Sequence, residues 1–318
     1  MLYSIEVNHN KMSRITFIAT VLNEEASIIQ LLESLKKQTK KANEIIIVDA
    51  GSKDKTVSLI NNYSQENKKQ NIRLLKKKGN RSKGRNIAIR NSTGEIIVAS
   101  DAGCILKNDW VEKITAPFSN STIDVVAGFY KPVVNSLFQK NLAPYTCTMP
   151  DKVNADFLPS SRSIAFRKKV WEKVGGYPEH LTTCEDLVFA RNLKMKGFKF
   201  AVEKKALVYW PQRENLIQAF FQFFSYAKGD GKARYIRKQT PLLFLRYLFF
   251  FLLCLMLVKV NFSFLIFLTI ACLLLYSVWA VSKNYKYVKN KSAFLYLPIL
   301  QLTSDVAVIS GMTVGLMT

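Results

Sequence analysis

Carboxylates offer this chain most of its chemistry, and three acidic motifs stand where secondary structure would present them. Asp49 closes the apolar run EIIIVD and opens Asp49-Ala50-Gly51-Ser52-Lys53-Asp54-Lys55-Thr56. Asp101 closes EIIVASD, and Glu185-Asp186 heads the helical pattern Leu187–Lys196. An ionised carboxylate accepts hydrogen bonds, binds hard divalent cations and can take a proton from an attacking group. One aspartate at a strand end is equally well a cap or a turn former, so the weight lies in the three together. Lys83 and Arg85 open a helical pattern after Gly79. A helix N-terminus is itself an anion site, although a solvated basic face accounts for the same two residues. His180 and Cys184 stand four apart, as metal ligands can, but no second pair completes a zinc set. Cys104, near Asp101, reads as small buried packing. The five cysteines form no CxxC pair and two lie inside apolar runs, so no disulfide framework is expected.

The elements that must position these groups alternate in type. Ile15–Leu22 reads as a strand and Glu25–Gln38 as a helix with Ile28, Leu31, Leu32 and Leu35 on one face. Glu44–Asp49 has the continuous apolar character of a buried parallel strand. Helix 54–63, strand 72–75, helix 83–90, strand 95–101, a helix through 110–114 and strand 122–129 follow. Strand–helix repetition makes βαβ units and a doubly wound parallel sheet. Ligands of such sheets bind outside the carboxyl ends of the strands, which puts Asp49 and Asp101 on one rim. Residues 130–159 read as irregular.

Charge divides the chain. It carries 46 Lys+Arg against 23 Asp+Glu, yet residues 241–318 hold only six basic residues and one acid, Asp305. Phe262 to Val281 is an unbroken uncharged run, long enough at 1.5 Å per residue to cross the hydrocarbon core of a bilayer. Leu242–Val258 is similar but for Arg246, placed to snorkel, and both exceed ordinary core helices. A third segment, near 293–317, is interrupted by Pro298, Gln301 and Asp305 and is the weakest of the three. Lys283, Lys286, Lys289 and Lys291 between the last two segments, with Arg234, Arg237 and Lys238 before the first, put both flanks in the cytosol by the positive-inside rule. The polar start Met1–Lys11 is not expected to be a secretory leader. A multi-pass protein of the cell membrane with its main body in the cytosol is the expectation. The basic body then suits anionic lipid; no helix-turn-helix, zinc-knuckle or RNP-type pattern argues for nucleic acid. Ile217–Tyr226, with four phenylalanines, fits equally a helix lying in the interface or a core helix. Tyr226–Gly231 has the two glycines of a flexible lid.

From Ile15 to Trp210 the sequence resembles the family 2 inverting glycosyltransferases, whose catalytic domain has the GT-A fold, a Rossmann-like α/β architecture. The resemblance rests on Val21-Leu22-Asn23-Glu24-Glu25, on Val48–Thr56, on Lys83-Gly84-Arg85-Asn86 and on Ser100-Asp101-Ala102-Gly103. Gly175-Gly176-Tyr177-Pro178-Glu179 and Glu185-Asp186 complete it in the expected order. With the apolar runs it divides the chain into an expected catalytic domain over 1–212, an amphipathic interface segment over 213–240 and transmembrane helices near 242–258, 262–281 and 293–317. It also implies a nucleotide-diphosphate sugar as donor, bound by Asp49, Asn23, Glu24, Lys83, Arg85 and Asp101. Asp49 resembles the aspartate that accepts a hydrogen bond from the base, which favours a ring N–H such as that of uracil and hence a UDP-type donor. Asp101 resembles the first aspartate of the family's DxD motif, which faces ribose and an Mg2+ or Mn2+ ion. Gly103 stands where that motif has its second carboxylate, so Asp101 holds metal alone or serves only the ribose. Asp186 is the implied general base, with Glu185 supporting it or exchanging roles. Leu216 and Ile217 stand where processive members have Arg and Trp, which disfavours polymer synthesis. A membrane-borne, lipid-linked or cell-envelope glycan acceptor is expected. Two other classes remain open: a membrane-tethered nucleic-acid-binding protein, and an inactive scaffold with a degenerate domain.

Overall fold

The computed structural model describes residues 13–154, 157–258 and 262–318. The polar start of the chain and the 259–261 link expected between the first two apolar segments lie outside the described residues. Contacts divide the chain into two compact units. The first comprises Met1–Phe129, Pro159–Tyr177 and Arg191–Val208; the second comprises Tyr130–Leu158, Pro178–Ala190 and Tyr209–Thr318.

The first unit starts as the periodicity predicts. Strands β1 (Ile15–Val21), β2 (Glu44–Asp49), β3 (Ile72–Lys76) and β4 (Ile96–Ala99) alternate with helices α1 (Ile28–Lys36), α2 (Thr56–Glu66) and α3 (Arg81–Arg90). β1 pairs in parallel with β2, bringing Val21 opposite Asp49, and with β4; β2 pairs in parallel with β3. All of β2 and β4 is buried, which is why their sequences are uninterrupted apolar runs. Helix α1 begins at Ile28 rather than Glu25, because residues 24–27 form a turn in which Ser27 N and Ile28 N both donate to Glu24 O.

The expectation of an all-parallel sheet is corrected beyond β4. Strands β5 (Ile105–Leu106), β6 (Val125–Val133), β7 (Ile164–Arg167) and β8 (Phe200–Pro211) extend one eight-stranded sheet in the order β3-β2-β1-β4-β7-β6-β8-β5. β7 runs antiparallel to both β4 and β6. Burial tells a strand that it lies inside a sheet but not which way its neighbour runs, and β7 is four residues long. Helices α4 (Trp110–Thr115) and α6 (Lys168–Val174) cover this region. Trp110 is fully buried, meets Phe17 edge-on at 6.2 Å and donates its indole N–H to Ser163 Oγ at 2.8 Å.

Residues 130–159 are not irregular throughout. Helix α5 (Leu137–Thr146) starts where Ser136 accepts from the Gln139 N–H. Helix α7 (Glu185–Met195) follows, and then α8 (Leu216–Lys232), α9 (Thr240–Val258), α10 (Phe262–Val288) and α11 (Ala293–Met317). The predicted lid at 226–231 lies inside α8, whose glycines serve close packing instead. A Cβ on Gly231 would lie 2.6 Å from Met312 O, and one on Gly315 would lie 2.2 Å from Lys228 O. Helix α8 has two characters at once: Ala219 and Phe223 join a core with Leu142, Leu300 and Ala307, while Ile217 and Phe221 are exposed. α10 and α11 are long and apolar enough to cross a membrane; the comparable stretch of α9, Thr240–Met256, is shorter.

Gly84 brings α3 close against Thr20 of β1. A Cβ there would lie 2.4 Å from Thr20 Cγ2 and 2.6 Å from Thr20 Oγ1. Gly84→Ala is expected to lower stability by about 1–3 kcal/mol, as overpacking does, measured as the denaturation midpoint of the full chain in detergent. An unchanged midpoint would mean that α3 gives way freely.

Candidate active site

Two loops at the carboxyl ends of β1 and β2 are knitted together by the first motif residues. Asn23, at φ +54°, donates its N–H to Ser52 Oγ at 2.9 Å and accepts from Lys53 N at 2.9 Å. Glu24 N donates to Thr56 Oγ1 at 2.7 Å, and the Glu24 carboxylate accepts from Ser27 Oγ. Glu25 and Asp54 exchange further bonds across the same gap: Glu25 N to Asp54 at 3.1 Å and Lys55 N to Glu25 at 2.9 Å. Asp49 is buried, and its carboxylate accepts from Gly51 N and Ser52 N, each at 3.1 Å. Gly51 takes φ +111°, a conformation few side chains tolerate. Asn23, Glu24 and Asp49 therefore lie in one structured rim, and each already has a positioning task.

A second group forms around Asp101. Arg85 Nη2 donates to Asp101 Oδ1 at 2.8 Å, and Arg162 Nε lies 3.7 Å from Oδ2. Arg85 is 4% exposed, and its guanidinium lies 5.4 Å from the centre of the Tyr177 ring. The next residue, Asn86, ties the Gly175-Gly176-Tyr177 loop to α3. Its Oδ1 accepts from Trp171 Nε1 at 3.0 Å and Tyr177 N at 2.9 Å, and its Nδ2 donates to Tyr177 O at 2.9 Å. The Tyr177 and Ser161 hydroxyls are 3.1 Å apart. Residues of three separate motifs thus meet around the Arg85–Asp101 ion pair. Burial would raise the Asp101 pKa, but the charges of Arg85, Arg162 and Arg81 outweigh it and hold the carboxyl below the usual range. Lys83 is exposed, with its backbone N–H capped by Asn80 Oδ1 at 2.9 Å.

Arg162 was missed by sequence reasoning. It stands alone in Pro159-Ser160-Ser161-Arg162, two residues before β7, and only that position marked it. Cys104 behaves as packing: burial, with Asp101 beside it, pushes its thiol up to about 12.

Glu185 and Asp186 open α7 and belong to the second unit, whereas Asp101 belongs to the first. Glu185 is buried; Asp186 is half-buried, and its Oδ1 accepts from Leu187 N at 2.8 Å. The loop before them is fixed by α8. Thr183 Oγ1 donates to Ser225 O at 2.8 Å, and Gly229 presses so close that a Cβ would lie 2.7 Å from Thr183 O. Cys184, at φ +66°, completes that turn. Burial and the neighbouring Asp230 raise its thiol pKa, which makes it a poor thiolate ligand.

Comparison with known proteins identifies the fold and the class of activity. Residues 16–172 match the profile described as Glycosyl transferase family 2. The O-antigen chain rhamnosyltransferase RfbN of Salmonella typhimurium is 26% identical over 223 residues, covering 63% of this chain and 69% of the relative. Among solved structures, the mannosyltransferase PcManGT from Pyrobaculum calidifontis, in complex with GDP-Man and Mn2+, gives a TM-score of 0.60 at 17% identity over 95% of this chain and 86% of that one. S. aureus TarS 1–349 in complex with UDP gives 0.52 at 17% identity, covering 94% and 90%. Residues 16–172 are a glycosyl transferase family 2 domain; the fold is GT-A and the class of activity is glycosyl transfer. The relatives place that activity in glycan biosynthesis.

Enzymes of this fold typically depend on a divalent cation, and PcManGT holds Mn2+. The donor set here fits such an ion poorly. Asp101 already faces two guanidinium groups, position 103 is glycine, and no cluster of three His, Cys, Asp or Glu side chains occurs among the described residues. Space is not the obstacle, since a Cβ on Gly103 meets nothing within 4 Å. UDP binding to the full chain, measured by calorimetry, is expected to change less than about threefold when EDTA replaces Mn2+. Gly103→Asp should introduce Mn2+ dependence. Loss of wild-type binding in EDTA would restore a metal to the site.

Proposed function

We propose that the chain moves a sugar from a UDP-type donor to a lipid-linked or cell-envelope glycan acceptor with inversion, from a cytosolic catalytic domain held at the membrane by its C-terminal helices. The observation that carries this reading is the convergence of Arg85, Asp101 and Tyr177, from three motifs, at the sheet rim where α/β folds bind nucleotides. In this reading Asp49 accepts the ring N–H of the base, and the Asn23–Glu24 loop walls the nucleoside. Asp101 faces the ribose. Arg85, with Lys83 and the first turn of α3, neutralises the diphosphate as charge builds on it. The two guanidinium partners of Asp101 support this division over an Mg2+ or Mn2+ ion held by that carboxylate.

Asp186 is the base. Its carboxylate takes the proton from the acceptor hydroxyl as that oxygen bonds to the anomeric carbon; the bond from that carbon to the diphosphate oxygen breaks, and its electron pair leaves with the nucleotide. The greater exposure of Asp186 supports this assignment over Glu185, whose burial suits orientation of the turn. Membrane attachment is supported by the apolar lengths of α10 and α11 and by the lysines between them, which favour a cytosolic flank. Asp186→Asn is expected to reduce turnover by about 100-fold or more, with UDP affinity within twofold of wild type. Transfer at a tenth of the wild-type rate or better would reject Asp186 as the base.

A further inference from the structure

Within the second unit, a polar cluster that the transfer site does not use lies among the apolar helices. Asp305 of α11 is 4% exposed. Arg246 of α9 pairs with its Oδ2. Tyr247 donates to the same oxygen at 3.1 Å and Tyr276 of α10 at 2.8 Å, while Gln301 Nε2 donates to Oδ1 at 2.8 Å. The Gln301 amide oxygen accepts from Lys283 Nζ at 3.1 Å. A hydrogen-bonded chain therefore runs Lys283–Gln301–Asp305–Arg246 across three helices. The Arg246 guanidinium lies 5.0 Å and the Lys283 ammonium 5.1 Å from the centre of the same Trp279 ring.

Two cations beside one indole are matched by a single carboxylate, and Asp305 spends its charge on Arg246. Among the described residues, the hydrogen bond recorded for Lys283 goes to a neutral amide. Arg246 Nε is buried there without a hydrogen-bond partner, while the side chain as a whole is 38% exposed. Leu274, Leu275 and Val278, on the turns of α10 before Trp279, are exposed apolar residues. An excess cation at an apolar helix surface is expensive unless an anion meets it. Lys283 also begins the basic run Lys283, Lys286, Lys289, Lys291, which marks the depth of lipid headgroups. We propose that Lys283, Arg246 and Trp279 form a binding site for the phosphate of a prenyl-type lipid phosphate, whose hydrocarbon lies along the exposed faces of α9 and α10. This deepens the proposed function and rests on it: the site would hold the acceptor class at the membrane surface.

The test uses the full chain in phosphatidylcholine nanodiscs, with farnesyl phosphate as probe and tryptophan fluorescence and calorimetry as readouts. Wild type should bind farnesyl phosphate, with farnesol and inorganic phosphate failing to displace it at tenfold excess. Lys283→Met should weaken binding by about tenfold or more and leave UDP affinity unchanged. Arg246→Met alone would strand Asp305, so Arg246→Met is combined with Asp305→Asn, and the pair should show the same weakening. Farnesyl phosphate affinity within twofold of wild type in Lys283→Met overturns the site. So does displacement by free phosphate or by phosphatidylglycerol in the disc, which would identify a general anion or headgroup site. If no form of the chain binds UDP while prenyl phosphate binding still depends on Lys283, the UDP-donor reading fails and the lipid-phosphate site stands.

Discussion

The rim of the sheet depends on one steric contact, the seating of α3 on β1 through Gly84 and Thr20. Successive helical residues point about 100° apart, so four neighbours in α3 face four ways. Lys83 faces solvent, Gly84 the sheet, Arg85 the carboxylate after β4, and Asn86 the Gly175–Tyr177 loop. Any standoff at position 84 would withdraw Arg85 and Asn86 together. The ion pair that results is a charge-assisted bond at 2.8 Å, stronger than a surface pair because Arg85 is buried. Because the folded Asp101 pKa is lowered, its contribution is complete above the unfolded value, about 3.9, and is lost as pH falls through the folded value. Asp101 is therefore charged across the neutral range.

How much of this was legible in the sequence follows from what each signal encodes. β1, β2 and β4 could be read because burial on both faces leaves apolar runs. The reversal at β7 could not, because burial carries no sign for strand direction. The Asn23–Glu25 and Ser52–Thr56 motifs were visible as motifs, but their mutual hydrogen bonds were not: a motif's residue types do not say whether its side chains face a ligand or each other. Arg162 reaches Asp101 through a crossing of the sheet that only the β4–β7 pairing creates. The glycines of α8 misled in an instructive way, since a glycine that frees a loop and one that lets two backbones touch look alike in one dimension.

That second use of glycine organises the second unit. Gly311 faces Phe224 O, Gly231 faces Met312 O and Gly315 faces Lys228 O, so α8 and α11 meet backbone to backbone. Small residues at such a seam replace side-chain interdigitation with close main-chain contact, the mode favoured where lipid removes the hydrophobic drive between helices. The opposite flank of α8 holds Thr183 by a hydrogen bond and by Gly229. One helix therefore packs on the apolar segment α11 and also fixes the turn that precedes Glu185 and Asp186.

The polar residues that weakened the third apolar segment in sequence have the same kind of explanation. Asp305 interrupts α11 only on paper, because Arg246, Tyr247, Tyr276 and Gln301 all donate to it. A buried carboxylate satisfied by four donors no longer opposes an apolar setting, whereas the same group with one donor removed would. Its satisfaction does not require Lys283, whose ammonium ends at the amide oxygen of Gln301. Gln301 could hold its orientation through Asp305 alone. The placement of Lys283 against Trp279 is thus unexplained by the needs of the buried acid, and an anion approaching from the lipid side is what would give that charge a partner.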